Sequence, residues 1–176
     1  MMDTRNQEVA SGVRKWIPRS FDLRWISFGS PAAIVTSMAL IVGLDAATAR
    51  KEAVLASLLI IGIADNLSDS LSVHIYQESE RMARRQAFRT TIANYAVRFA
   101  VSASFLILFL ALPVNLAGYV CLAWGFMLLS LLSYLLAQTR HLPALSEILK
   151  HTGVAAIVIL TSNSIGLAIH ALLISP

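Results

Sequence analysis

Charge, cysteine and chemistry-bearing motifs are all scarce in this chain of 176 residues. Its single cysteine, Cys121, lies inside an apolar run, which excludes both a disulfide framework and a cysteine-rich zinc site. The sequence contains no HExxH, no phosphate-cradling glycine loop and no nucleophile, base and orienter set, so it predicts neither an enzyme nor a bound cofactor. Charged residues make up only 14% and hydrophobic residues 57%. With a mean hydropathy of +0.69, that balance lies outside the range of soluble domains. No nucleic-acid signature is present, and the expected partner is the lipid bilayer. Met1 to Trp25 carries Arg5, Arg14, Lys15, Arg19 and Arg24 without an apolar run, so no cleavable signal peptide is expected there.

What the chain does have is five apolar stretches, each close to the roughly 20 residues that a bilayer-spanning helix needs. They run over about 25–46, 53–76, 91–112, 116–138 and 149–174. The reading is therefore an all-α integral membrane bundle of five transmembrane helices over 25–176, preceded by an interfacial segment over 1–24. Within that segment Val13, Trp16, Ile17 and Phe21 mix with basic residues, as in chains that lie on a membrane surface. Pro31 is expected to start or kink the first span, and Pro113 to separate the third from the fourth. Basic residues crowd the N-terminal segment, the second connection (Arg81, Arg84, Arg85, Arg89) and the fourth (Arg140, Lys150), whereas the third connection has none. By the excess of Lys and Arg in cytoplasmic connections, the N-terminus is expected in the cytoplasm and the C-terminus on the opposite side. A multi-pass protein of a bacterial inner membrane or a eukaryotic organelle membrane fits this layout.

The most informative stretch is Gly62 to Glu80, GIADNLSDSLSVHIYQESE, which carries two carboxylates into hydrophobic depth. An ionised residue at the bilayer centre costs roughly 2.5–3.5 kcal/mol even on the gentlest scales, so it normally faces the bundle interior, a water-filled cavity or a partner. At 3.6 residues per turn Asp65, Ser68, Asp69, Ser72 and Tyr76 share one face, with Asn66 beside it. Two carboxylates one turn apart among hydroxyl and amide oxygens suit a hard divalent cation, and they suit protons equally well. Asp65, Asp69, Ser68, Ser72 and Asn66 are therefore the candidate metal ligands.

Around this stripe, Arg98 of the third span is either the counter-ion or a side chain that snorkels to the interface, with snorkelling the expectation. His74 lies off the carboxylate face and is expected at the interface. Asn163, within Thr161 to Ser164 of the fifth span, is expected to make an interhelical hydrogen bond, and substrate contact is the lesser expectation. Small residues at four-residue spacing in the first span, Ala33 and Ser37 or Ala39 and Gly43, suggest close helix contact and a dimer seam. Gln77 to Arg89 is read as a continuation of the second helix beyond the bilayer, with Glu80 and Arg84 paired one turn apart.

Two stretches resemble the vacuolar iron transporter family. Phe28 to Gly43, FGSPAAIVTSMALIVG, is similar to that family's first helix, which opens on Phe-Gly before an Asp-Gly pair and an apolar run. Ala64 to Glu80, ADNLSDSLSVHIYQESE, is similar in length and register to a second-helix pattern of the form Ala-Asp-Gly-Leu-Ser-Met-Ala-Ala-Gly-Glu-Tyr-Val-Ser. Asp65 and Ser68 match that pattern. Ala32 stands where the family has its first-helix Asp, Asp69 where it has Met, and Val73 where it has Glu. The Glu-rich helices between the second and third spans are replaced by the short basic run Arg81 to Arg89. The resemblance implies a five-helix protein with a cytoplasmic N-terminus, a homodimer, and transport of a divalent metal.

Two functional expectations follow. The first is a transporter of a divalent cation, Fe²⁺ or Mn²⁺, exported from the cytoplasm in exchange for protons, with Asp65 and Asp69 alternating between metal and proton. The second is a non-transporting interaction or regulatory protein of the same fold, in which the polar stripe is structural. An open polar cavity around the carboxylates favours the first, and closure by Arg98 favours the second. A lipid-binding role resting on the basic segments is a third expectation.

Overall fold

A computed structural model describes residues 29–48 and 50–174, and among them every regular element is helical. Five helices are long and apolar enough to cross a membrane. We number them α1 (Ser30–Thr48), α2 (Lys51–Ser79), α3 (Arg84–Ala111), α4 (Val114–Arg140) and α5 (Ala144–Ile169, continued by a wide turn over His170–Ile174). Even α1, at 19 residues, is about 28 Å long at 1.5 Å per residue, close to a hydrocarbon core of about 30 Å. The expected interfacial segment over 1–24 and the first residues of the first expected span lie outside the described residues.

Burial follows from which helices meet. α1 is central and touches all four others, whereas α2 packs on α1 and α3 and makes no substantial contact with α4 or α5. Ile34, Met38 and Ile41 of α1, Phe105 and Phe109 of α3, and Cys121 and Leu129 of α4 form the buried core. Pro31 falls in the first turn of α1, where its missing N–H has no intrahelical partner to lose, so it opens the helix without kinking it.

The α1–α5 contact uses the small residues that the sequence suggested for a dimer seam. Ser162 Oγ donates to the Ala39 carbonyl at 2.5 Å. A Cβ on Gly166 would run into the Gly43 carbonyl oxygen and stand 2.9 Å from Ala46 Cβ. Ala33 and Ser37 are also buried inside the chain. At Ala39 and Gly43, α5 of the same chain therefore occupies the approach that small side chains permit. Ser162, and not the neighbouring Asn163, supplies the interhelical hydrogen bond.

Polar side chains at helix ends tie neighbours together. Lys51 Nζ donates to the carbonyls of Leu110 (3.0 Å) and Leu112 (2.9 Å), satisfying acceptors that the end of α3 leaves open. Ser133 Oγ donates to Leu129 O, so its contact with His151 requires the proton on His151 Nδ1, which links α4 to α5 at 2.8 Å. His170 Nδ1 meets the Ala47 carbonyl at 3.0 Å and joins α5 to α1.

α2 and α4 end alike. Arg81 (φ 58°) and His141 (φ 55°) adopt the left-handed conformation. Beyond them Met82 N–H returns to Gln77 O and Leu142 N–H to Ala137 O, which closes each helix with a Schellman turn. This overturns the expected continuation of α2 through Arg89: the chain reverses at Arg81, Arg84 opens α3, and Glu80 and Arg84 no longer share a helix. Glycine adopts this backbone without a Cβ penalty, so Arg81→Gly and His141→Gly are each expected to stabilise the fold by about 0.5–1 kcal/mol. Thermal unfolding in detergent checks it.

Candidate functional site: one arginine between two intramembrane carboxylates

α2 is not uniformly wound. Residues Ile61–Asp65 form a π turn, in which Asn66 N–H bonds Ile61 O, one residue further back than in an α-turn. The Asn66 side-chain amide then donates to the Gly62 carbonyl at 3.1 Å. Val54, Leu58, Gly62, Asn66 and Ser70 are all buried, at a constant spacing of four. A straight α-helix drifts by about 40° over each such step, and the slower winding of the π turn removes part of that drift. α2 thus keeps one line of residues against its neighbours throughout its length.

That line is one residue away from the stripe singled out in the sequence. Asn66 and Ser70 point inward, whereas Ser68, Ser72 and Tyr76 are exposed. Ser72 Oγ donates to Ser68 O at 3.1 Å, so the two residues meet along α2 itself. Asp65 and Asp69 flank the inward line, each with a side chain 47% exposed.

Arg98 reaches them from α3. Its side chain is 3% exposed, at the middle of a helix whose first turns hold Arg84, Arg85 and Arg89. It therefore does not snorkel. Nε donates to Asn66 Oδ1 at 3.0 Å, Nη1 to the Gly29 carbonyl at 2.9 Å and Nη2 to Asp69 Oδ2, and Asp65 Oδ2 lies 3.7 Å from Nη2. Every nitrogen of the guanidinium is engaged, and its planar fork suits acceptors arriving from three segments at once. Snorkelling loses because a carboxylate, an amide oxygen and a carbonyl are all within reach at depth, and the acceptors gain as much as the cation does.

A second layer surrounds this contact. Asn66 Nδ2 also donates to Ser102 Oγ at 3.0 Å, and Asn94 Nδ2 to Ser70 Oγ at 3.3 Å. Asn66, Ser70, Asn94 and Ser102 are all buried. None of Ser70, Asn94 and Ser102 stood out in the sequence. The signal was there in α3, where Thr90, Asn94, Arg98 and Ser102 recur every four residues. His74 lies closer to the basic end of this seam, with Nδ1 3.0 Å from Thr91 Oγ1 and Nε2 3.4 Å from Glu78 Oε1. Asn163 is half-buried on α5, with which α2 has no substantial contact, so the structure does not bring it to the carboxylates.

Gly29 matters because the backbone comes so close. A Cβ there would stand 2.6 Å from Asn94 Oδ1, 2.8 Å from Arg98 Cδ and 2.9 Å from Arg98 Nη1. Gly29→Ala is expected to push Arg98 off the Gly29 carbonyl and to cost about 1–3 kcal/mol, read as a lower unfolding midpoint in detergent. Asp69→Asn is expected to cost about 1 kcal/mol and Asp65→Asn much less, since only Asp69 is in direct hydrogen-bonding contact. The same measurement separates them.

Chemically, the arrangement is a carboxylate pair whose positive partner is part of the chain. Among the described residues no three His, Cys, Asp or Glu side chains converge as a metal-holding group. Of the candidate ligands, Asn66 spends its oxygen on Arg98 and its amide on Ser102 and Gly62. Comparison of the chain with protein-family models, with curated proteins and with solved structures gives no match.

Proposed function

We propose that this chain is a multi-pass membrane protein that acts by assembling with other membrane proteins, not by carrying a cation. The observation that supports this reading is the placement of Arg98. A divalent cation and a guanidinium compete for the same Asp69 oxygen, and the cation would have to displace a buried group that has three other acceptors in place. A displaced Arg98 would stay charged in a low-dielectric interior, at a cost of several kcal/mol. In this reading the chain keeps the five-helix plan that its resemblance to the vacuolar iron transporters implies, with the cation supplied by α3. The absence of the family's first-helix carboxylate, with Ala32 in its place, supports the same conclusion.

One observation favours the transport reading. Two carboxylates face one guanidinium, so the site carries an excess negative charge, and Asp65 at 3.7 Å holds Arg98 only loosely. In that reading the excess carboxylate takes a proton or shares in binding Fe²⁺ or Mn²⁺, and a homodimer pairs two such sites.

Flux decides between them. Purified protein in liposomes, under an imposed proton gradient, is expected to move none of Fe²⁺, Mn²⁺, Co²⁺ or Zn²⁺ above the protein-free level. Gradient-dependent flux that is lost in Asp65→Asn and Asp69→Asn would replace this proposal with the transport reading.

A further inference from the structure

The excess charge also identifies a surface. Asp65 and Asp69 lie near the middle of α2, and each carboxylate is about half exposed on the outside of the chain at that depth. Among the described residues no donor other than Arg98 reaches either one. Ser68, Ser72 and Tyr76 on the face they share are also exposed, and the adjoining side of α2 is lipid-like, with Ile60, Ile63, Leu67 and Leu71 exposed. A net negative charge at membrane depth is costly, and among the described residues neighbouring helices do not cover it, because α2 has no substantial contact with α4 or α5.

We infer that this face of α2 is a docking strip for a transmembrane helix of another protein that carries one Lys or Arg at mid-depth. Charge complementarity selects that occupant. A single basic side chain brings the cluster of Asp65, Asp69 and Arg98 to neutrality, and its ammonium or guanidinium finds the carboxylate oxygens that Arg98 leaves open. A second copy of this chain, docked by the same face, would set four carboxylates against two guanidinium groups and leave the excess doubled in a low-dielectric contact. Ala64 and Ser68, both exposed beside Asp65 and Asp69, keep the side chains short at the crossing so that a partner backbone can approach.

This inference rests on the reading of Arg98 as the site's own cation, and its test is separate from the flux assay. The full chain in nanodiscs, labelled near the end of α2, is mixed with synthetic leucine-alanine transmembrane peptides that differ at one central position: Lys, Leu or Glu. Energy transfer should report association of the Lys peptide roughly tenfold tighter than the Leu peptide, and none of the Glu peptide. Asp65→Asn removes the excess charge while leaving Asp69 on Arg98, so that variant should fold and bind the Lys and Leu peptides equally. Equal binding of Lys and Leu peptides by the unaltered chain overturns the inference. So does a stable dimer of the chain whose α2 helices cross-link through this face. If the Lys peptide binds only after Arg14, Lys15, Arg19 and Arg24 are changed to Gln, the chain's own basic segment is the occupant, and the inference is again overturned. Any of these failures without metal flux leaves the assembly reading standing, whereas flux removes that reading itself.

Discussion

Arg98→Met should be the most damaging single substitution in the membrane-spanning region, costing on the order of 3 kcal/mol. The change leaves volume nearly constant and removes the group that joins α3 to both carboxylates, to Asn66 Oδ1 and to the Gly29 carbonyl. Two carboxylates one turn apart then face each other without a cation, and Asn66 Oδ1 loses the donor it had in a buried site. The carboxylates are half exposed, which keeps the figure at the lower end for a broken buried pair. The diagnostic is rescue. Arg98→Met combined with Asp65→Asn and Asp69→Asn should regain most of the lost stability, since a site with no charges has little left to compensate. Arg98→Lys should fall between, because an ammonium cannot present a fork to acceptors on α2 and at the start of α1 together. Unfolding in a mixed-detergent titration gives all three values. Failure of the triple variant to recover would mean that Arg98 acts through its packing and not through its charge.

Gly166→Leu should separate α1 from α5. Its Cβ alone would collide with the Gly43 carbonyl, and a backbone oxygen cannot move aside as a flexible side chain can. The expected cost is about 2–3 kcal/mol from overpacking, together with loss of the Ser162 to Ala39 hydrogen bond and of the tie from His170 to the Ala47 carbonyl. Because α5 is held mainly by α1 and α4, it should become the first helix to detach, seen as selective proteolysis or exchange over Ala144–Ile169. Ser162→Ala is a milder counterpart, expected to lose about 1 kcal/mol. If Gly166→Leu leaves exchange in α5 unchanged, the close approach of α1 and α5 is not what holds that helix.

How much of this was legible beforehand divides by the kind of signal. Five spans and their connections follow from long apolar runs between polar breaks, a signal set by bilayer thickness and independent of packing. Asp65 and Asp69 stood out because charge at depth is rare. Which side of α2 faces inward was not legible, because both sides of the helix carry small polar residues and the choice between Asn66 with Ser70 and Ser68 with Ser72 depends on what α3 offers opposite. The π turn at Ile61–Asp65 has no motif in the sequence, and only the four-residue spacing of Val54, Leu58, Gly62, Asn66 and Ser70 hints at it in retrospect. Arg98 was misjudged because its distance along α3 from the basic end does permit snorkelling, and the acceptors that hold it come from α2 and Gly29, remote in sequence. The turn at Arg81 was missed for a related reason: the left-handed closing residue is an arginine where the usual marker is glycine.

Mn²⁺ binding decides whether Arg98 serves as the cation of this carboxylate site. Free Mn²⁺ measured by electron paramagnetic resonance, during titration of the nanodisc-embedded chain, should be the same for the unaltered protein and for Asp65→Asn combined with Asp69→Asn. Saturable loss of the free Mn²⁺ signal at one ion per chain, abolished in the double variant, would mean that a metal and not Arg98 neutralises the carboxylates, and would return the site to a transported metal.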